Sequence, residues 1–216
     1  GISADKFRGA WPYTPQNAKL WRGMLNVMVE TFGDAAQTGF CYWATDPMDN
    51  PDYDKFIRDH WEVVGFLPQT TTAVPLKDIA LTRRVLALFD EHRCVTNRFS
   101  ILTTKILRRV HQTFTAKELM GVELVPQMKG GIAAKANAGR AMLRKEKLRQ
   151  RGKSDKISVL TADHSTIACV SGFLVNMLHK NVKMVSPTRA SAQWPLGYRI
   201  YDEGKFETAD DFRTLL

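Results

Sequence analysis

Four short runs of β-forming residues begin at Thr38, Leu67, Asn97 and Val122, at intervals of 29, 30 and 25 residues. Each interval is the length of a strand, a helix and two loops, so the first 128 residues read as repeated βα units building a parallel sheet. The runs are Thr38 to Thr45, Leu67 to Ala73, Asn97 to Leu102 and Val122 to Gln127. Between the first two, Asn50 reads as an N-cap and Pro51 as the first helical residue. Tyr53, Phe56, Ile57, Trp61 and Val64 follow at helical spacing, and Gly65 stops the helix. Further helices are expected over Lys77 to His92 and Thr104 to Phe114, and Thr115 with Glu118 forms a capping box. Right-handed crossovers leave an open doubly wound sheet or part of a (β/α) barrel, and both bind ligands at the carboxyl ends of their strands. Thr45, Asp46, Thr71, Thr72, Ser100 and Gln127 occupy such ends.

The flanks are built differently. A loop from Trp11 to Asn17 leads into an amphipathic helix over Lys19 to Phe32. Near the other end, Ile157 to Thr161 reads as a strand. Ile167 to Val175 and Asn181 to Ser186 read as an antiparallel pair turning near His179-Lys180-Asn181, and Thr208 caps a final helix. The expected organisation is α/β: a partial (β/α) barrel over residues 1–128, a linker over 129–156 and a smaller α+β part over 157–216.

The linker is defined by charge. The 216 residues carry a net charge of +9, and Lys129 to Lys156 hold ten bases against two acids, a local +8. The segment also holds Gly130, Gly131, Gly139 and Gly152. A nucleic-acid-binding face would spread its bases over a folded surface and interleave aromatic residues; this segment does neither, which disfavours a nucleic acid as partner. No stretch is long and apolar enough to span a membrane and no signal peptide opens the chain, so a cytoplasmic protein is expected. Gly1 is an unusual first residue and suggests a piece of a longer polypeptide.

Gly-Lys-Ser/Thr phosphate loops, Gly-x-Gly-x-x-Gly, Gly-x-Ser-x-Gly and His-Glu-x-x-His are all missing. Two constellations remain. Asp163 to Phe173 gathers an acid, an imidazole, hydroxyls and the thiol of Cys169; against this, a free cysteine is most often a small buried hydrophobe. Strand-to-helix turn chemistry explains Asp49, Asn50 and Pro51 but leaves Asp46-Pro47 at the strand tip unexplained. Of the five histidines, four lie in helical or turn contexts where solvent exposure is the default.

Tyr42 to Tyr53 (YWATDPMDNPDY), Leu67 to Ala73 (LPQTTTA), Arg98 to Leu102 (RFSIL), Cys169 to Phe173 (CVSGF), Ser186 to Ala190 (SPTRA) and Trp194 to Gly197 (WPLG) together resemble the radical SAM amino acid epimerases of ribosomal peptide (RiPP) maturation. The resemblance implies a partial (β/α) barrel, S-adenosylmethionine (SAM) and an iron–sulfur (4Fe-4S) cluster. A 5′-deoxyadenosyl radical would remove an α-hydrogen from a precursor peptide, and a neutral thiol would return hydrogen from the opposite face, inverting an L residue to D. It points to Cys169 as the thiol, Asp46 and Pro47 at the amino group of SAM, and Thr71, Thr72 and Ser100 at its ribose and carboxylate. One departure matters. The cysteines Cys41, Cys94 and Cys169 lie 53 and 75 residues apart, so the family's CxxxCxxC cluster motif is absent and the chain alone is expected to be inactive. Other readings are a radical SAM maturase that cross-links or methylates, and a binding module whose basic segment contacts nucleic acid. If the basic segment has a partner, an acidic stretch of the precursor's leader facing Arg144, Lys145, Lys147 and Arg149 is expected.

Overall fold

A computed structural model describes residues 9–38, 46–94, 97–127, 135–136, 146–152, 161–162, 171–189 and 191–216, and they fall into two compact units. The larger comprises residues 9–128 with 206–216, and the smaller comprises 129–205 with the first eight residues.

The larger unit opens with α1 (Pro15–Phe32). It starts four residues before Lys19 because Thr14 Oγ1 accepts from Asn17 N at 3.2 Å and Pro15, which has no N–H to leave unpaired, takes the first turn. A 3₁₀ turn over Gly33–Thr38 follows, so Thr38 is not extended; the rest of the first expected strand lies outside the described residues. After a second 3₁₀ turn, Pro47–Asp49, α2 spans Tyr53–Val64 and ends at Gly65, whose φ of 74° suits a residue without Cβ. Asn50 does not cap α2, which starts after Asp52. Instead its Oδ1 accepts from Asp52 N and its Nδ2 donates to the Trp11 carbonyl, both at 2.9 Å, and this buried tether outcompetes capping.

β1 is short, Thr71–Thr72, against the expected run from Leu67, and its backbone bonding to β2 reaches back to the Thr70 carbonyl, which accepts from Arg98 N at 2.8 Å. Then come α3 (Ile79–Glu91), β2 (Asn97–Ile101), α4 (Thr104–Thr113), α5 (Ala116–Leu119) and β3 (Val122–Pro126). The strands form a parallel sheet in the order β1-β2-β3, with Thr72 beside Phe99 and Phe99 beside Leu124. The capping box at Thr115 and Glu118 forms in full. One core cluster joins Met48, Tyr53, Ile57, Leu67, Leu81, Val85, Leu88 and Phe89; another joins Leu86, Phe99, Ile101, Val110 and Phe114.

In the smaller unit, β4 (Lys135–Ala136) pairs parallel with β5 (Thr161–Ala162), and residues 146–150 are helical. β6 (Gly172–Asn176), β7 (Asn181–Pro187) and β8 (Tyr198–Lys205) form an antiparallel sheet with a bulge between Met184 and Val185. The β6–β7 hairpin matches the sequence reading where it is described, with Lys180 in its turn at φ 46°. β8 escaped that reading because Asp202, Glu203 and Gly204 break its apolar alternation.

The chain then returns to the larger unit. Thr208 and Asp211 form a second capping box that starts α6 (Ala209–Thr214). Phe206 and Phe212 are buried and meet edge to face, and Arg213 pairs with Glu30 of α1. Among the described residues, no helix is long and apolar enough to cross a membrane.

Candidate functional site

The carboxyl ends of β1 and β2 carry the polar residues singled out in the sequence. Asp46, with extended backbone at φ −158° and ψ 142°, caps the 3₁₀ turn at Pro47–Asp49 by accepting from Met48 N at 3.0 Å. The same oxygen accepts from Thr72 Oγ1 at 2.6 Å, and Oδ2 accepts from Ala73 N at 2.8 Å. One carboxylate therefore fastens the loop before α2 to the end of β1. Thr72, only 1% exposed, relays the contact by accepting from Val74 N at 3.0 Å. Burial pushes the Asp46 carboxyl above its ordinary value; the Thr72 hydroxyl and the Ala73 and Met48 amides pull it back down, and nearby Asp49 adds a further push upward. An ionised carboxylate has about four acceptor sites, and donors among the described residues fill three on Asp46.

The other expected site residues divide. Pro47 is buried beside Met48, a member of the first core cluster, so packing alone accounts for it. Thr71 sits one residue before Thr72 and pairs with Arg98. Ser100 follows Phe99, the partner of Thr72, and so belongs to the same rim; it is 6% exposed. Cys169 lies outside the described residues, as does most of the Asp163 to Phe173 constellation.

The structure adds groups the sequence did not mark. Lys77 pairs with Asp49, and Tyr53 and Thr70 share a buried hydroxyl contact of 2.9 Å behind β1. Away from the rim, Asp59 of α2 accepts from Tyr13 Oη at 2.9 Å and from Arg22 at 2.6 Å, and Arg22 also reaches Glu62 at 2.6 Å. Burial and the Asp59 carboxylate push the Tyr13 phenol up to about 12. The spacing of Asp59 and Glu62 marks one face of α2, but nothing local marks partners some forty residues away. His60 corrects the expectation of exposed histidines: it is 2% exposed, and its Nδ1 donates to the Phe66 carbonyl at 2.7 Å.

With this geometry in place, the comparisons add one relative. The chain is 54% identical over 213 residues, 99% of its own length, to the "Uncharacterized protein y4wI" of Sinorhizobium fredii (strain NBRC 101917 / NGR234). It spans 41% of that relative's length. No family model matches the chain, and no solved structure matches it.

The rim residues suit binding more than covalent chemistry. A desolvated carboxylate beside hydroxyls can hold a cationic group, but Asp46 and Thr72 supply no thiol or imidazole. Among the described residues, no cluster of His, Cys, Asp or Glu could hold a metal ion. Cys94, the cysteine within them, directs its Sγ to the His92 carbonyl at 3.6 Å and packs against the first core cluster.

Proposed function

We propose that the chain is part of a radical SAM peptide epimerase acting in the cytoplasm on a ribosomally made precursor peptide. The observation that carries this reading is the half-buried Asp46 carboxylate, joined to Thr72 at the carboxyl end of a parallel sheet. The reading needs an acceptor for a ligand's amino group at that rim, and the lone-pair capacity of Asp46 beyond its three bonds would serve it. Thr71 and Ser100 stand nearby on β1 and β2 for hydroxyl and carboxylate groups of SAM. The parallel order of β1-β2-β3, with helices between successive strands, supports a partial (β/α) barrel.

The iron–sulfur cluster does not fit the residues present. Three cysteines at intervals of 53 and 75 residues cannot supply CxxxCxxC, and the Cys94 thiol turns to the His92 carbonyl beside the first core cluster. Its ligands would have to come from polypeptide beyond these residues, so no step is derived through it. Within this chain the proposed chemistry falls on Cys169: its S–H bond would break as the hydrogen atom passes to an α-carbon radical on the precursor and the new C–H bond forms, and the thiyl radical left behind would take one electron and one proton from an external reductant.

The test uses the full-length protein and its precursor peptide in deuterated water. Epimerisation places deuterium on the inverted α-carbon, and Cys169→Ala abolishes D-residue formation. An unaffected variant would remove Cys169 from the reaction. A product of altered mass in ordinary water would point to cross-linking or methylation instead.

A further inference from the structure

Acidic residues stop at Glu91 and resume at Glu118. The 26 residues between them hold six Lys and Arg and no acid, and three of the six, Lys105, Arg108 and Arg109, lie on α4. Ile106, Leu107 and Val110 turn into the core around Phe99, which leaves the three cations exposed on the opposite face. None of them meets a carboxylate among the described residues, nor do Lys19, Arg58, Arg93 and Lys117, whereas Arg22, Lys55, Lys77, Arg83, Arg84 and Arg98 of the same unit each do; what sets the α4 cations apart is that three share one helix face. Their spacing stacks like charges at i, i+3 and i+4, and Lys105 stands in the first turn, where the helix dipole repels a cation. The helix gains nothing from this arrangement. Leu102, 41% exposed, adds an aliphatic surface just before the Thr103 cap, at the carboxyl end of β2 and so on the same rim as Thr72.

We propose that the outer face of α4 docks an acidic peptide segment, with carboxylates on Lys105, Arg108 and Arg109 and an apolar side chain on Leu102. The aliphatic neighbour favours a peptide over a nucleic acid, which would want an aromatic platform beside the cations. Docking here differs from capture by the basic segment 129–156, and because binding is read without turnover it stands apart from the epimerase reading.

The probe is a short fluorescein-labelled peptide rich in Glu and Leu that carries one photo-crosslinking residue, titrated against the full-length protein at low salt. The expected result is binding that weakens with salt, crosslinks on residues 102–112, and a loss of about tenfold or more in K105Q/R108Q/R109Q. The charge-preserving K105R/R108K/R109K retains binding, and Lys147→Gln with Arg149→Gln changes it less than twofold, roughly the weakest exposed-pair effect. Removing like charges from one helix face does not endanger folding, which thermal melting of each variant checks. If the triple variant melts early, the single Arg109→Gln change must weaken binding in the same direction. Unchanged affinity in the neutralised variants, crosslinks confined to 129–156, or tighter binding of an oligonucleotide of equal charge on the same face would overturn the proposal.

Discussion

Asp46 illustrates how one side chain can serve a local and a long-range purpose. Its bond to Met48 N is local, while those to Thr72 Oγ1 and Ala73 N reach 26 and 27 residues along the chain. Asp46→Ala removes a cap and leaves the Thr72 hydroxyl, itself buried, without its acceptor. We expect a loss of about 2 kcal/mol, read as a lower denaturation midpoint at unchanged m. A variant as stable as the parent would show that these bonds add no net stability. His60 gives a pH-dependent counterpart. Burial lowers its pKa against the opposing pull of the Phe66 carbonyl, while an unfolded histidine titrates near about 6.5. Between the folded value and the unfolded one, the unfolded state binds more protons, so stability falls as pH drops from neutral through that window. Melting temperatures across this range should decline in the parent and decline less in His60→Gln; parallel declines would remove His60 as the cause.

The contact of α1 with α6 shows element packing set by a missing side chain. A Cβ on Gly23 would stand 2.9 Å from Ala209 Cβ, a contact no side-chain rotation relieves. Alanine in mid-helix is favoured by about 1 kcal/mol over glycine, whereas overpacking costs about 1–3 kcal/mol. Gly23→Ala should therefore destabilise by about 1 kcal/mol in chemical denaturation, and adding Ala209→Gly should restore most of it; an unchanged midpoint would mean that α6 shifts freely. The apolar stripe of α4 holds in a similar contest: the like-charge pairs around Lys105 cost only about 0.2–0.5 kcal/mol each, well below the burial of Val110. Such local balances explain what could be read in advance. The capping boxes at Thr115 and Thr208 and the stop at Gly65 depend on neighbours in sequence and were legible. The start of α2 was not, because Asn50 had two chemically sensible uses and only the distant Trp11 carbonyl decides between them.

At the scale of the molecule, regular spacing made the parallel sheet readable, since a βα repeat leaves few ways to pair β1, β2 and β3. The rim followed from that order, which is why Asp46 and Thr72 could be named together before their bond was seen. Long-range partners were beyond reach: Arg213 meets Glu30 across 183 residues with nothing local to announce it. That return of the chain has a consequence for synthesis. Residues 129–205 emerge between β3 and α6, and at about 5–20 residues per second the α1 face that receives α6 waits about 4–15 s on the ribosome. While the insert is unfolded, closing a loop of that length costs about 4 kcal/mol in entropy, the same order as burying Phe206 and Phe212. The helix that covers α1 is thus made well after α1 itself, and the insert acts as the timer.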